Sequence, residues 1–321
     1  MSGVEIGVGN RDVAGRGARR DAGRDPKVGT GLGDVFAALD LEPLPRGVVM
    51  AATPLGNIGD ASARLVHALA TADVIAAEDT RRMKALASAL GVEVTAKVVS
   101  NFDHNEQARV EGLLDAARRG TVLVVTDAGM PVVSDPGHVV VVAALEQGVP
   151  VTCLPGPSAV TTALALSGLG VGHFIFDGFA PRKPGQKKAW LESLRQESRA
   201  VVFFESPHRI ADTLAVAAEL LGPTRRGAVC RELTKTYEEI KRGSLQELAE
   251  WAEEGNARGE ISVVLDGAAA VDGAMSAADL IPRVNELVEG GMKLKPACKE
   301  AAKGTTVSVR ELYDAVVAAR A

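Results

Sequence analysis

Short apolar runs rich in β-branched residues alternate along this chain with segments whose apolar positions recur at helical spacing. The runs read as buried strands of a largely parallel sheet, and the segments as amphipathic helices laid over it. In the first half the pattern predicts strands at 47–52, 73–77, 97–100, 122–125 and 150–154. Each runs into a turn and then a helix. Asp60 is placed to cap a helix with the stripe Leu65, Val66 and Leu69, and Gly91 closes a second helix that ends at Leu90. A third helix reaches about Arg119. A fourth is expected at 139–147, with Asp135 as N-cap, Pro136 at the first helical position and Gly148 as its stop. A fifth follows Pro155-Gly-Pro-Ser158 and ends at Gly168.

The second half has a different cadence. Strands are predicted at 173–177, 200–204, 227–230 and 260–266. Ser206 and Pro207 are expected to open a helix that Gly222 stops, and Ser244 with Glu247 forms a capping box. Gly168, Gly170 and Gly172 mark a break between the halves. Ser276 with Asp279, the segment 295–303, and Ser308 with Glu311 predict helices at the C-terminal end, around a turn at 304–308. They suit either a helix-turn-helix or a solvated helical hairpin. Residues 1–45 are rich in Gly, Arg and Asp without periodicity and read as a disordered tail. The expected division is a tail over 1–45, α/β domains over 46–168 and 169–270, and a helical appendix over 271–321.

Composition narrows the function classes. The 321 residues are 46% hydrophobic and 24% charged, which describes a globular protein, and no apolar run reaches membrane-span length. Cys153, Cys230 and Cys298 lie far apart, as thiols of a reducing, cytoplasmic compartment would. The five histidines have no metal-ligand spacing, so no metal is expected. There is no Walker A loop, no G-x-G-x-x-G between strand and helix, and no G-x-S-x-G elbow. The net charge of -5 means that binding of a polyanion must rely on local basic patches. Two such patches occur: Arg182, Lys183, Lys187 and Lys188 in a Pro/Gly loop, and Lys293, Lys295, Lys299, Lys303 and Arg310 in the appendix.

Unusual chemistry gathers at four predicted strand ends: Pro54-Leu-Gly-Asn57, Glu78-Asp-Thr-Arg81, Asp127-Ala-Gly129 and Pro155-Gly-Pro-Ser158. Open α/β sheets bind ligands beyond the carboxyl ends of their strands. These ends offer carboxylates and backbone amides without a phosphate cradle, which suits a ligand with hydroxyls, amides and a positive centre.

The ordered motifs Ala52-Thr-Pro-Leu-Gly-Asn57, Ala77-Glu-Asp-Thr-Arg81, Asp103-His-Asn-Glu106, Asp127-Ala-Gly-Met-Pro131, Ser134-Asp-Pro-Gly137, Leu154-Pro-Gly-Pro-Ser-Ala159, Glu205-Ser-Pro-His-Arg209 and Arg231-Glu-Leu-Thr-Lys235 carry a resemblance. Over residues 46–315 the chain resembles the tetrapyrrole-methylase-like (class III) S-adenosylmethionine-dependent methyltransferases, in particular their ribosomal-RNA ribose-methylating branch. Met130 departs from the pattern, which has Thr there. The resemblance implies a two-domain α/β fold with S-adenosyl-L-methionine in the interdomain cleft, and a homodimer. It also implies 2'-O-methylation of a cytidine in the decoding region of 16S rRNA, within the small ribosomal subunit. Carried over by motif, Pro54, Leu55, Asp127, Ala128, Gly129, Met130, Ser158 and Ala159 line the cofactor site. Glu205, Leu233, Ile261 and Ser262 close it from the second domain.

A 2'-hydroxyl needs a proton acceptor or a polarising cation to act as a nucleophile. Glu78, Asp79, His104, Glu106 and Lys235 are candidates, with Asp79 beside Arg81 first among them. The competing reading of Glu78 to Arg81 is an ion pair that fixes the loop. Two rival functions share the pattern: a tetrapyrrole C-methyltransferase, and a small-subunit assembly factor without chemistry.

Overall fold

The computed structural model describes residues 41–102, 106–255, 258–268, 276–303, 305 and 307–320. The expected tail up to residue 40, His104 and parts of the 304–308 turn lie outside these residues. In the first half, β1 (Gly47–Ala51), β2 (Val74–Ala77), β3 (Lys97–Ser100), β4 (Thr121–Val125) and β5 (Val151–Leu154) form one sheet in the order β3-β2-β4-β1-β5. Every pairing is parallel, with Val49 opposite Leu123 and Thr152 in the middle of the sheet. Parallel neighbours require crossovers, and α1 (Ala63–Thr71), α2 (Thr80–Ala89), α3 (Glu106–Ala117) and α4 (His138–Glu146) supply them. Both sheet faces are covered, one by a core around Leu65, Leu69 and Ile75, the other by a core around Val110, Leu114 and Val140.

The second half forms another five-stranded sheet, ordered β6-β7-β10-β8-β9. Its strands are β6 (Phe174–Phe179), β7 (Ala200–Glu205), β8 (Arg226–Arg231), β9 (Glu239–Ser244) and β10 (Ile261–Leu265). Only β6 and β7 pair in parallel; the others are antiparallel. Strand β9 was not expected. Its sequence, Glu-Ile-Lys-Arg-Gly-Ser, is polar because it is an edge strand, where charged side chains discourage further pairing. Helices α6 (Pro184–Ser193), α7 (Ile210–Leu221) and α8 (Leu245–Glu253) cover one face with a core around Phe203, Leu214 and Leu248.

The other face is covered by α5 (Ala159–Ser167), although this helix precedes the glycine break. Val160, Ala163 and Leu164 pack with Val202, Ala228, Cys230 and Val264, and Leu55 and Leu233 join the same cluster. The break in packing therefore falls before α5, whereas the composition change falls after it. Helices α9 (Ala277–Glu289), α10 (Leu294–Ala301) and α11 (Val309–Arg320) share a core of their own around Leu280, Val284, Cys298 and Leu312.

Three helix starts differ from expectation. Asn57 caps a short 3-10 turn at Ile58–Asp60, and Ser62, not Asp60, caps α1 by accepting the Leu65 amide at 3.1 Å. Helix α4 begins at His138, because Gly137 at φ 127° directs the chain away before Asp135 and Pro136 can join the helix. Helix α7 begins at Ile210: residues 206–209 form a turn in which the Ser206 carbonyl accepts from the Arg209 and Ile210 amides.

Candidate active site

The loops after β1, β2, β4 and β5 gather at one edge of the first sheet, and the first three are tied to each other there. Thr53 and Gly129 exchange backbone hydrogen bonds at 2.9 and 3.0 Å, joining the loops after β1 and β4. The Asp127 amide donates to Glu78 Oε2 at 3.1 Å, and the Asp79 amide donates to Asp127 Oδ1 at 3.2 Å, joining those after β2 and β4. Arg82 completes the network with an ion pair to Asp127 at 3.1 Å.

These loops form one wall of a cleft of about 400 Å³. Leu55, residues 127–130, Val133, Ser134 and Asp135 line it, with Ser158 and Ala159 at the start of α5. The opposite wall comes from the second sheet: Phe179, residues 204–207 and residues 259–262. Of the expected cofactor residues, Leu55, Asp127, Ala128, Gly129, Met130, Ser158, Ala159, Glu205, Ile261 and Ser262 line this cleft. Pro54 and Leu233 do not; both are buried, Leu233 in the apolar cluster beneath Leu55.

Two features suit the cleft to a compact cationic ligand. Gly129 holds φ at +84°, and a Cβ there would sit 3.2 Å from Leu55 Cδ2 and 3.7 Å from the Pro157 carbonyl. The glycine thus keeps space open at the wall and permits a left-handed turn. The lining also carries the carboxylates of Glu78, Asp127, Asp135, Glu205 and Glu260; Asp127 pairs with Arg82, Glu205 with Arg209 and Glu260 with Lys235, so five carboxylates meet three cations. This balance favours a positively charged ligand and disfavours a triphosphate.

The catalytic candidates separate clearly. Asp79 is the N-cap of α2: its Oδ1 accepts the Arg81 amide at 2.8 Å, and its two oxygens take Arg81 Nε and Nη2 at 3.1 and 2.7 Å. Its hydrogen bonds to the Arg81 side chain and backbone hold the carboxyl well below the usual carboxylate range. A carboxylate so held is a weak base, and neither Asp79 nor Arg81 lines the cleft. Glu106 is 4% exposed and accepts the Gly137 amide at 2.8 Å, so it anchors the 131–137 loop instead of facing a substrate. Lys235 bridges Glu232 at 2.9 Å and Glu260 at 3.1 Å. Partial burial works against its charge, but these bonds outweigh that and raise its pKa, so it remains an ammonium. Its stem packs where Gly56 lacks a side chain. Among the described candidates, Glu78 alone lines the cleft.

The sequence profile of the tetrapyrrole (corrin/porphyrin) methylases matches residues 47–249. The chain is also similar to ribosomal RNA small subunit methyltransferase I of Mycobacterium bovis, with 55% identity covering 85% of this chain and 95% of that one. The Halalkalibacterium halodurans protein of the same name is 38% identical, covering 83% and 92%. This chain belongs to the tetrapyrrole methylase family. Solved structures agree on the fold of this methylase. The methyltransferase CobJ superposes with a TM-score of 0.54 at 21% identity, covering 70% of this chain and 95% of that one. Cobalt precorrin-4 methyltransferase CbiF superposes at 0.51 and 18%, covering 70% and 97%.

The basic residues of the methylase are not all on its surface. Arg182, Lys183 and Lys188 are exposed, as are Lys293, Lys295, Lys299, Lys303 and Arg310. Lys187 is the exception and corrects the expected loop patch. Pro184 opens α6 there, and the helix turns Lys187 inward, 3% exposed, to pair with Asp212 at 2.7 Å. Sequence reasoning also missed Arg82, Phe179, Phe204 and Glu260 in the cleft. Arg82 stands one residue beyond a motif, and Glu260 sits immediately before Ile261. The aromatic pair carried no signal: β6 reaches Phe179 through a bulge, and its ring packs 5.4 Å from that of Phe204.

Proposed function

We propose that this chain is an S-adenosylmethionine-dependent methyltransferase that 2'-O-methylates the ribose of a cytidine in the decoding region of 16S rRNA, within the small ribosomal subunit. The carrying observation is the acid-lined cleft between the two sheets, kept open at Gly129. Its shape and charge fit a sulfonium ligand that also carries an ammonium group and ribose hydroxyls. When bound, the cofactor supplies a methyl group on an already activated sulfur, so positioning accounts for much of the rate. The residues that would hold it are Leu55, Asp127, Gly129, Met130, Ser158 and Ala159 on one wall, with Glu205, Ile261 and Ser262 on the other.

Glu78 takes the proton of the 2'-hydroxyl in this proposal, because among the described candidates it is the one placed in the cleft. Asp79 caps α2, and Arg81 fixes Asp79. Glu205 keeps the second wall in place: it is buried, and accepts from the Ser206 amide and the Thr213 hydroxyl at 2.7 Å each while pairing with Arg209. In this proposal the cofactor sits between two α/β domains, over 46–168 and 169–270, which α5 joins by packing on the second sheet. The exposed basic side chains of α6 and the C-terminal helices engage RNA. A homodimer working in the cytoplasm completes the proposal.

The relatives' name supports an RNA substrate over a porphyrinogen. Tritium transfer from labelled S-adenosylmethionine to purified small subunits, compared with transfer to a porphyrinogen, tests it. Label in the ribose of a 16S rRNA cytidine is the expected result. Label in the porphyrinogen alone, or in neither substrate, would overturn the proposal; the second outcome would leave an assembly factor.

A further inference from the structure

The segment 232–238, between β8 and β9, is strained and firmly held. Glu232 and Thr234 both adopt left-handed backbone conformations, at φ 51° and 64°, without being glycine. Such conformations are strained and persist only where the surroundings impose them. Here the surroundings are explicit. Glu232 Oε1 accepts from the Glu260 amide and from Lys235 Nζ, each at 2.9 Å, and the Thr234 amide donates to Glu238 Oε2 at 2.7 Å. The Lys235 and Glu238 amides close two tight turns onto the Glu232 and Lys235 carbonyls.

This rigid loop presents Tyr237 to solvent, 75% exposed, in a chain with only 3% aromatic residues. Tyr237 forms one side of a recess of about 320 Å³ whose other walls are Arg231, Glu232, Arg258 and Gly259. Gly259 also lines the cofactor cleft, so the recess opens beside it. Arg231 is held in an ion pair through its Nε with Glu239 at 2.7 Å, the Glu232 carboxylate in the recess is engaged by Lys235 and the Glu260 amide, and Arg258 is exposed. An exposed ring flanked by two guanidiniums matches single-stranded nucleic acid: bases stack on aromatic faces, and phosphates take Arg side chains.

Resting on the RNA reading above, we infer that Tyr237, Arg231 and Arg258 seat a nucleotide flanking the methylated one, its base on the Tyr237 ring and its phosphate on the guanidiniums. The seat selects an unpaired strand, because a base held in a duplex offers no free face. It therefore contributes to the choice of target, separately from the basic residues of α6 and α10.

The test uses the full-length protein with Tyr237→Ala, Tyr237→Phe and Arg258→Ala. Steady-state transfer to small subunits, cofactor calorimetry and binding to a short oligoribonucleotide of the target sequence are measured for each. Tyr237→Ala should raise KM for small subunits and weaken oligonucleotide binding about tenfold, with cofactor affinity unchanged. Tyr237→Phe should behave as wild type, since stacking needs the ring and not the hydroxyl. Arg258→Ala should reduce the log-log salt slope of binding by about one. Unchanged KM and oligonucleotide binding in Tyr237→Ala, with wild type active on small subunits, would overturn the seat and leave the RNA reading intact. A defect on intact subunits without one on the oligonucleotide would point to a ribosomal protein as the partner, and would also overturn it. A wild-type protein inactive on small subunits would remove the RNA reading itself.

Discussion

Replacing Gly129 tests the cleft where the loop after β4 lines it. The residue sits at φ +84°, where an L side chain costs about 1–2 kcal/mol. The backbone cannot relax away from that angle cheaply, because Gly129 exchanges two hydrogen bonds with Thr53, each worth about 1 kcal/mol net. The strain therefore stays in place. A Cβ would come within 3.2 Å of Leu55 Cδ2, so an alanine pushes the Leu55 wall by a few tenths of an ångström, and a valine adds two methyl groups at the same wall. Gly129→Ala is expected to weaken S-adenosylmethionine binding about tenfold, or about 1.4 kcal/mol, and Gly129→Val more than about a hundredfold. Domains are stable by about 5–15 kcal/mol, so the strain leaves a folded protein. Calorimetric titration gives the affinities. Thermal unfolding with and without cofactor gives an independent reading, since a ligand that binds only the native state raises Tm. A folded Gly129→Val variant with wild-type affinity would refute both the contact argument and the assignment of this cleft to the cofactor.

Glu78→Gln should slow single-turnover methyl transfer about 10²-fold or more with cofactor affinity within a few-fold, whereas Asp79→Asn, which keeps a capping oxygen, should leave the rate within a few-fold. The reverse pattern would return Asp79 to the role of base. Lys187→Glu puts a carboxylate in a buried site beside Asp212 and should destabilise the fold by on the order of 3 kcal/mol, lowering Tm, while Lys188→Glu should leave Tm unchanged and weaken binding to small subunits. Equal Tm values for the two would show that Lys187 is exposed in solution. The Arg199 side chain and amide lower the Glu197 pKa to about 2 from 4.5, so the folded state holds fewer protons there. That contribution is complete above pH 4.5 and lost as pH falls towards 2, so Arg199→Met should flatten the dependence of Tm on pH in that window and leave it unchanged near neutrality.

The strands were legible where they are buried. β1, β2 and β4 lie inside a sheet covered on both faces, so their sequences are almost wholly apolar, and nothing competes with that signal. β9 lies at an edge and reads as loop because its solvent face is charged. The helix starts failed for a different reason. Asp60, Asp135 and Ser206 each have the chemistry of a cap, but a cap works only where the backbone enters the helix. Asn57 with Ser62, Gly137 and the turn after Glu205 set those entries elsewhere. In the site, motif residues located the cleft well, because glycines and carboxylates at strand ends are forced there by the chain path. Their roles were less legible. Asp79, Glu106 and Lys235 are all conspicuous polar residues, yet Asp79 is taken by its neighbour Arg81 as a helix cap, and Glu106 and Lys235 hold loops through partners distant in sequence, Gly137 and Glu260.

Helix α5 explains how two differently built sheets share one site. It leaves the first sheet at β5, and its buried side chains pack on the second. Its N-terminal end, Ser158 and Ala159, opens into the cleft, and Ser158 makes no side-chain cap bond there. Leu55 does the same from the loop after β1: it touches the cleft on one side and the cluster with Leu233 and Val264 on the other. The two walls are therefore fixed to each other through an apolar core that begins directly beneath the cleft. A change in that core alters the separation of the walls, so residues such as Cys230 and Ala163, which do not line the cleft, belong to what determines its width. The polar ties at the rim, Glu78 to Asp127 and Lys235 to Glu260, join loops within each half and do not span the gap. The architecture separates the two tasks: burial of apolar side chains sets the spacing of the walls, and hydrogen-bonded carboxylates set the chemistry that faces inward.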